Sequence, residues 1–416
     1  MLDLFRTPKL RWYRFILLVL QPFYIRYFRL RGVGVENLPA SGPYLIVANH
    51  SHLLDPFFIG AIIRRPIFQM ASNEFFRKPL MRRFMWAMGA FPRKKGFVDF
   101  KSIKYAIALV KKGHPLSIYP EGGRNWDGET LPILESTAKL VKLLNVPVVT
   151  VVSRGNYKAY PRWADRKRKS VITIHYAKPV SFDRDTPDSE IIDFIQRGIY
   201  NNDNDTEVGR IRGKNPAQGL TRLLYRCPDC RALEGLREID GRHIGCGSCG
   251  RSWEVDLDCR MRETGGQWRA VKEYADLMFR PEEVTPLAPE ELTRMVSLPG
   301  MDTPTERTRP GERQVFLVSG AVTLYHEPAY PKLEKRGTGR LFLTDQGLVF
   351  LMQKIPGEEI FYPFQDILGR STERNFVFQI VLAEDIARFE MRGESCYKWE
   401  KYYDEVRKRG GYRSES

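Results

Sequence analysis

Between residues 40 and 200, short apolar runs alternate with longer segments of helical spacing, and few folds accommodate that alternation. The runs 44–48, 66–71, 115–119, 147–152 and 171–176 read as strands, and 56–64, 79–88, 99–112, 132–144 and 188–199 read as helices. The pattern predicts an α/β domain with a mainly parallel sheet and flanking helices. In such a domain, ligands meet the sheet at the carboxyl ends of its strands. Residues just after each apolar run are therefore the ones to inspect for chemistry.

After the run Tyr44-Leu45-Ile46-Val47-Ala48 comes Asn49-His50-Ser51-His52-Leu53-Leu54-Asp55, then Pro56 at the start of a helical stretch. A histidine thus sits at a strand end, with an acid at the mouth of the next helix. Imidazole takes up a proton near neutral pH, and a carboxylate can fix its tautomer and stabilise the imidazolium. The same residues also fit a structural reading, in which Asp55 caps the helix and His50 is an ordinary loop residue.

Three later stretches extend this edge. Gly89-Ala90-Phe91-Pro92-Arg93-Lys94-Lys95-Gly96 sets three cations between glycines, either a phosphate site or a solvated basic turn. Tyr119-Pro120-Glu121-Gly122-Gly123-Arg124-Asn125 follows an apolar run and offers a carboxylate, a guanidinium and exposed amides, or a plain turn with a surface ion pair. Val146-Pro147-Val148-Val149-Thr150-Val151-Val152 reads as a core strand that walls a pocket.

Charge concentrates in the same region. The chain carries 66 Lys and Arg against 50 Asp and Glu, and residues 1–200 hold 33 of the cations but 15 of the acids. A basic surface of this kind attracts anionic lipid, phosphorylated substrates or nucleic acid. Residues 10–31 add an aromatic and basic segment, with Trp12, Tyr13, Phe15, Phe23, Tyr24, Tyr27 and Phe28 among Arg11, Arg14, Arg26 and Arg29. Its uncharged centre, Phe15 to Ile25, is too short to span a bilayer and contains Gln21-Pro22. The expectation is one or two helices lying in a membrane interface; the alternative is an amphipathic helix packed on the domain's own core. The absence of a small-residue cleavage site after this run argues against a secretory signal.

In combination, these stretches resemble the glycerolipid acyltransferases of the lysophosphatidate acyltransferase type. The family's N-H-x-x-x-x-D matches Asn49, His50 and Asp55. Its G-x-[IF]-[FP]-x-x-R matches Gly89 to Pro92, with Lys95 where the family has arginine and Arg93 two residues earlier. Its P-E-G-T-R-S matches Pro120, Glu121, Gly122 and Arg124, with Gly123 and Asn125 in place of Thr and Ser. Its valine-proline strand matches Val146-Pro147-Val148. The resemblance covers about residues 10–200. It implies O-acyl transfer from an acyl-CoA or acyl-carrier-protein thioester to a lysophosphatidate-like acceptor, with no catalytic cofactor. His50 is implied as general base oriented by Asp55, and Arg93, Lys95, Glu121, Gly122, Gly123 and Arg124 as substrate-binding residues. Amides near Gly122 and Gly123 are candidates for oxyanion stabilisation. His52 is a competing base, ranked second because His50 has the family's spacing to Asp55. The implied location is the cytoplasmic face of a membrane, peripheral or monotopic, with anionic lipid as a partner.

Beyond a polar stretch at 201–222, Cys227-Pro228-Asp229-Cys230 and Cys246-Gly247-Ser248-Cys249 are separated by 15 residues. That spacing predicts a zinc ribbon over 222–262, with four thiolates closing the shell of a structural metal, and a reducing compartment. His243 and Cys259 are spare ligand candidates, and Cys396 reads as a buried thiol. The ribbon's surroundings are not notably basic, so protein contact or simple stability is expected there rather than nucleic-acid binding. Six prolines between 280 and 312 predict a linker. From 313 to 410 the pattern turns to β and ends in a helix with Tyr397, Trp399, Tyr402 and Val406. The run Gly339 to Phe350 resembles the GRAM branch of pleckstrin-homology-like domains, implying a small barrel with a capping helix that contacts lipid or protein. The expected organisation is a membrane-interface segment (1–34), an acyltransferase domain (35–205), the ribbon, the linker and the GRAM-like domain. The alternative function is a catalytically inactive membrane-associated adaptor that binds partners through the ribbon and the GRAM-like domain.

Overall fold

The computed structural model describes residues 10–63, 65–94, 99–296, 313–353 and 358–412. Lys95 and residues 297–312 of the proline-rich stretch lie outside them. The first domain is built on a seven-stranded sheet of order β1-β7-β6-β2-β5-β3-β4. Its strands are β1 (Arg31–Val33), β2 (Leu45–Ala48), β3 (Phe68–Ser72), β4 (Ala90–Arg93), β5 (Leu116–Ile118), β6 (Val148–Arg154) and β7 (Thr173–Tyr176). All neighbours are parallel except β6 and β7. The period-2 alternation of β2 explains its double burial. Leu45 and Val47 join one core with α4 (Phe100–Lys111), α5 (Ser136–Leu144) and α7 (Asp188–Ile199), while Ile46 and Ala48 join another with α2 (Asp55–Ile63).

The amino-terminal segment is one helix, α1 (Leu10–Phe28), which runs through Pro22. One face packs on the domain's own core, as the alternative expectation has it, and the other is exposed. Tyr13, Leu17 and Phe28 are buried, and the Tyr13 hydroxyl bonds the Ile67 backbone. Trp12, Phe15, Leu18, Val19 and Phe23 are each more than half exposed. Gly89 lies beneath this helix at positive φ, where a Cβ would stand 2.9 Å from the Tyr13 ring. No helix among the described residues is long and apolar enough to cross a membrane.

The cysteine-rich segment forms a five-stranded antiparallel sheet, β8 (Leu236–Glu238) to β12 (Arg269–Ala270), and so extends beyond residue 262. Within the stretch expected as linker, α9 (Pro289–Val296) forms, and Leu287 and Leu292 pack against the last domain. That domain is an eight-stranded antiparallel sheet, β13 (Val315–Val318) to β20 (Ile386–Glu390), with α10 (Cys396–Arg409) packed on it through Trp399 and Tyr403 against Phe378. Its end strands, β17 (Glu359–Pro363) and β18 (Gly369–Glu373), are not paired with each other among the described residues.

These parts share one interior. A single apolar cluster runs from Trp126, Tyr157 and Trp163 through Cys227 and Trp253 to Phe378 and Trp399. Polar bonds cross the same boundary: Ser72 Oγ to Glu373 (2.8 Å), Arg388 to Glu74 (2.6 Å), Trp126 Nε1 to Glu400 (3.1 Å), and the Tyr330 hydroxyl to the Asn73 carbonyl (2.8 Å).

Candidate active site

The turn between β2 and α2 is held by Asp55, which is fully buried. Its Oδ2 accepts from the Ser51 amide (3.0 Å), the His52 amide (2.8 Å) and His50 Nδ1 (3.0 Å), and its Oδ1 accepts from Asn156 Nδ2 (3.1 Å). Two backbone donors and a side-chain amide thus fix the position of the carboxylate. A carboxylate on Nδ1 leaves the ring's lone pair on Nε2, the tautomer a general base requires. Asn49 fastens the start of the turn to β6, exchanging bonds with Ser153 N (2.8 Å) and O (3.0 Å). Asn125 fastens its middle: its amide donates to the His50 carbonyl (3.1 Å) and its Nδ2 to Ser51 Oγ (2.8 Å). Neither Asn125 nor Asn156 carries a sequence signal for this role, because each acts through residues far away in the chain.

The two histidines differ in their surroundings. His52 is fully buried against Phe28 and Phe58, and its Nδ1 accepts the Leu54 amide (2.9 Å). Its imidazole is therefore held neutral; burial pulls its pKa down to about 3. His50 is the partly exposed one, at 20 %, with its ring 4.4 Å from that of Tyr119.

The state of His52 has a measurable consequence. In the unfolded chain a histidine titrates near 6.5. The folded value lies below that, so the stability it contributes is present above about pH 6.5 and is lost as pH falls towards the folded value. Asparagine retains an acceptor for the Leu54 amide without a titrating ring. His52→Asn should lower stability at pH 8, through lost packing, yet flatten the fall between pH 6.5 and 5. Denaturant midpoints at both pH values check this; an unchanged slope contradicts it.

Glu121 departs from its expected role as a substrate ligand. Its Oε1 accepts the His50 amide (2.5 Å) and its Oε2 the Leu131 amide (2.8 Å), so the side chain braces the histidine turn. Burial pushes its carboxyl up to about 8 against the pull of those donors. Gly122, at positive φ, turns the chain and spends its amide on the Tyr119 carbonyl (3.3 Å), which removes it as an oxyanion donor. Gly123 has open space beside it: an added Cβ would lie 4.0 Å from Arg162.

Arg93, Glu121, Gly122, Gly123 and Arg124 line one cleft of about 1100 Å³, together with Tyr119. Arg93 comes from the end of β4, a strand rather than the expected turn, paired with β3. Lys95 is outside the described residues. Arg124 leaves Nη1 buried and without a partner among the described residues, and burial together with Arg162 pulls its guanidinium down to about 10. Arg162 was not legible as a site residue. It donates to the Arg124 carbonyl (2.7 Å) and the Thr372 carbonyl (3.2 Å), and stacks 4.1 Å over Trp126.

Cys227, Cys230, Cys246 and Cys249 converge as expected, their sulfurs within 4.8 Å of one another. Sulfurs about 2.3 Å from a tetrahedral zinc stand about 3.8 Å apart; Cys227–Cys249 is 3.8 Å and Cys230–Cys246 is 3.7 Å. The donor set and spacing fit a metal site. Cys259 is instead buried against Arg168 (3.0 Å), His243 pairs with Asp240 (2.9 Å), and Cys396 is buried in α10.

The family described as Acyltransferase matches residues 29–154, the span that contains His50, Asp55, Arg93 and Arg124. The chain carries an acyltransferase domain. A 1-acyl-sn-glycerol-3-phosphate acyltransferase of Bacillus subtilis is 28% identical over 138 residues, 33% of this chain and 68% of that protein. The chloroplastic 1-acyl-sn-glycerol-3-phosphate acyltransferase BAT2 of Brassica napus is 32% identical over 133 residues, 31% of this chain and 38% of that protein. A solved 1-acyl-sn-glycerophosphate acyltransferase, PlsC from Thermotoga maritima, is 20% identical, with a TM-score of 0.39 over 45% of this chain and 78% of that one. The chain thus spans well under half of the Brassica relative, and the acyltransferase domain accounts for under half of the chain itself. The ribbon and the C-terminal sheet lie outside the family match.

Proposed function

We propose that this protein is an O-acyltransferase that moves a fatty acyl group from an acyl thioester to the hydroxyl of a lysophosphatidate-like glycerolipid. The observation that carries the reading is the 3.0 Å His50 Nδ1 to Asp55 bond in a braced turn, beside a cleft lined by Arg93 and Arg124. His50 Nε2 takes the acceptor's hydroxyl proton as that oxygen attacks the thioester carbonyl. The tetrahedral adduct collapses, the carbon–sulfur bond breaks, and the imidazolium returns its proton to the leaving thiolate. Asp55 stabilises the imidazolium in between. Arg93 and Arg124 place the acceptor phosphate, as guanidinium forks suit that geometry. No catalytic cofactor is required; the donor is acyl-CoA or acyl-carrier protein.

The exposed strip of α1 supports a peripheral or monotopic seat on a membrane, with aromatic side chains at head-group depth and arginines near anionic lipid. We assign the enzyme to the cytoplasmic face, the four thiolates to a structural zinc, and the C-terminal sheet with α10 to a pleckstrin-homology-like module of the GRAM type. The test is a panel of acceptors (lysophosphatidate, glycerol 3-phosphate, other lysophospholipids and a phosphate-free monoacylglycerol) presented in vesicles with long-chain acyl-CoA or acyl-carrier protein. Selective acylation of lysophosphatidate supports the reading; acylation of acceptors without phosphate contradicts the role given to Arg93 and Arg124.

A further inference from the structure

The cleft beside His50 has two walls from different domains. One is the edge of the acyltransferase sheet. The other is β18 and α10 of the C-terminal domain, through Thr372, Tyr397, Lys401, Arg407 and Lys408. Along α10, Tyr397 and Lys408 are separated by about 16 Å of helix, at 1.5 Å per residue. The cleft is therefore longer than a phosphate monoester bound at Arg93 and Arg124 requires.

Charge is unbalanced across it. The acids on its surface are spent inside the protein. Asp99 caps α4, and Glu121 holds two amides. Asp127 and Asp276 face Lys272, while Glu400 and Asp404 face Arg162 and Arg370. The remaining cations on the C-terminal wall have no carboxylate partner among the described residues. Lys401 lies over the rings of Tyr397 (5.2 Å) and Phe279 (6.0 Å). Arg407 bonds only neutral acceptors, the Tyr403 hydroxyl (3.3 Å) and the Ile367 carbonyl (3.1 Å), and its Nε is buried without a partner. Lys408 is exposed. Each wall thus presents an arginine with an unmatched buried nitrogen, Arg124 on one and Arg407 on the other. Buried donors left unmade are costly, and a phosphate satisfies several at once.

We infer that the C-terminal domain is part of the substrate site, and that Lys401, Arg407 and Lys408 bind a phosphate-bearing end of a substrate. The inference rests on the acyl-transfer reading for what the ligand is, and on the cleft alone for where it binds. Two sources share this chemistry: the nucleotide end of a coenzyme A thioester and the phosphorylated head of the glycerolipid acceptor.

Calorimetric titration of the full chain with coenzyme A, and separately with glycerol 3-phosphate, needs no turnover and distinguishes the sources. Lys401→Glu combined with Lys408→Glu should weaken one probe by about tenfold or more, and the probe affected names the source. Lys332→Glu, a charge reversal on an exposed lysine of the same domain paired only with Glu334, should leave both unchanged. If the double reversal does not fold, Lys408→Gln alone, at an exposed position, should weaken the same probe by about threefold. Wild type binding neither probe, or the reversals weakening neither, overturns the inference. Binding that depends on these lysines in a protein showing no acyl transfer would leave it standing and remove the acyltransferase reading instead.

Discussion

Acyl transfer should fall by about 10²- to 10⁴-fold in both His50→Ala and Asp55→Asn, the range for loss of a positioned general base, but the two variants should part company from Asp55→Ala in stability. His50 is partly exposed, and its removal opens no sealed cavity. Asparagine at 55 can present its carbonyl to the Ser51 and His52 amides and to His50. Its new amide would then face Asn156, whose Oδ1 is buried without a partner and can accept after a side-chain flip. Asp55→Asn should therefore fold with a loss of about 1 kcal/mol while losing the charge that stabilises the imidazolium. Alanine strands all four donors, and each buried orphan costs about 1–3 kcal/mol. Steady-state kinetics and denaturant midpoints on the three variants check this. Equal destabilisation by asparagine and alanine would contradict the hydrogen-bond account of the turn.

Removing the metal should be the largest perturbation of stability. Apparent binding energies for structural zinc sites are on the order of 10 kcal/mol, and here Cys227 and Cys246 belong to the apolar cluster that reaches from Trp126 to Phe378 and Trp399. The site's flanks are tied to α10: Arg226 Nη2 donates to the Tyr402 hydroxyl (2.6 Å), and Glu234 pairs with the buried Lys398. Chelation, or Cys230→Ser, should lower Tm by about 10 °C or more. Because α10 walls the cleft, the surviving folded protein should also bind substrate more weakly. One zinc per chain by elemental analysis, lost together with the Tm, is the expected result. A metal-free chain of unchanged Tm would contradict the structural role.

The interior of the acyltransferase domain was legible in the sequence because its strands are buried on both faces and read as continuous apolar runs. The 44–48, 66–71, 115–119, 147–152 and 171–176 runs each overlap an observed strand, with β3 running on to Ser72 and β6 to Arg154. β1 and β4 escaped notice, since Arg31-Gly32-Val33 and Ala90-Phe91-Pro92-Arg93 are short and carry the Gly, Pro and Arg of a turn. In the last domain, β14 (Val322–Ala329) and β18 do not stand out as apolar runs for a related reason. His326, Glu327, Glu373 and Ser371 break the apolar alternation, and Glu327 and Glu373 are polar because they reach across to Arg77 and Ser72. At the site, His50, Asp55 and the four cysteines were legible from local spacing. The bracing by Asn125 and Asn156, the bond from the His50 amide to Glu121, and the wall supplied by α10 depend on contacts 71 to 274 residues apart in sequence, which no local pattern encodes.

The most direct test of the central claim is single-turnover transfer from a radiolabelled long-chain acyl-CoA to lysophosphatidate in vesicles, by wild type and His50→Ala of equal Tm and zinc content. The account predicts labelled phosphatidate from wild type and a rate lower by about 10²-fold or more in the variant. Equal rates in the two, or no transfer to any acceptor by folded, metal-loaded, vesicle-bound wild type, would contradict it and favour an adaptor built on an acyltransferase domain.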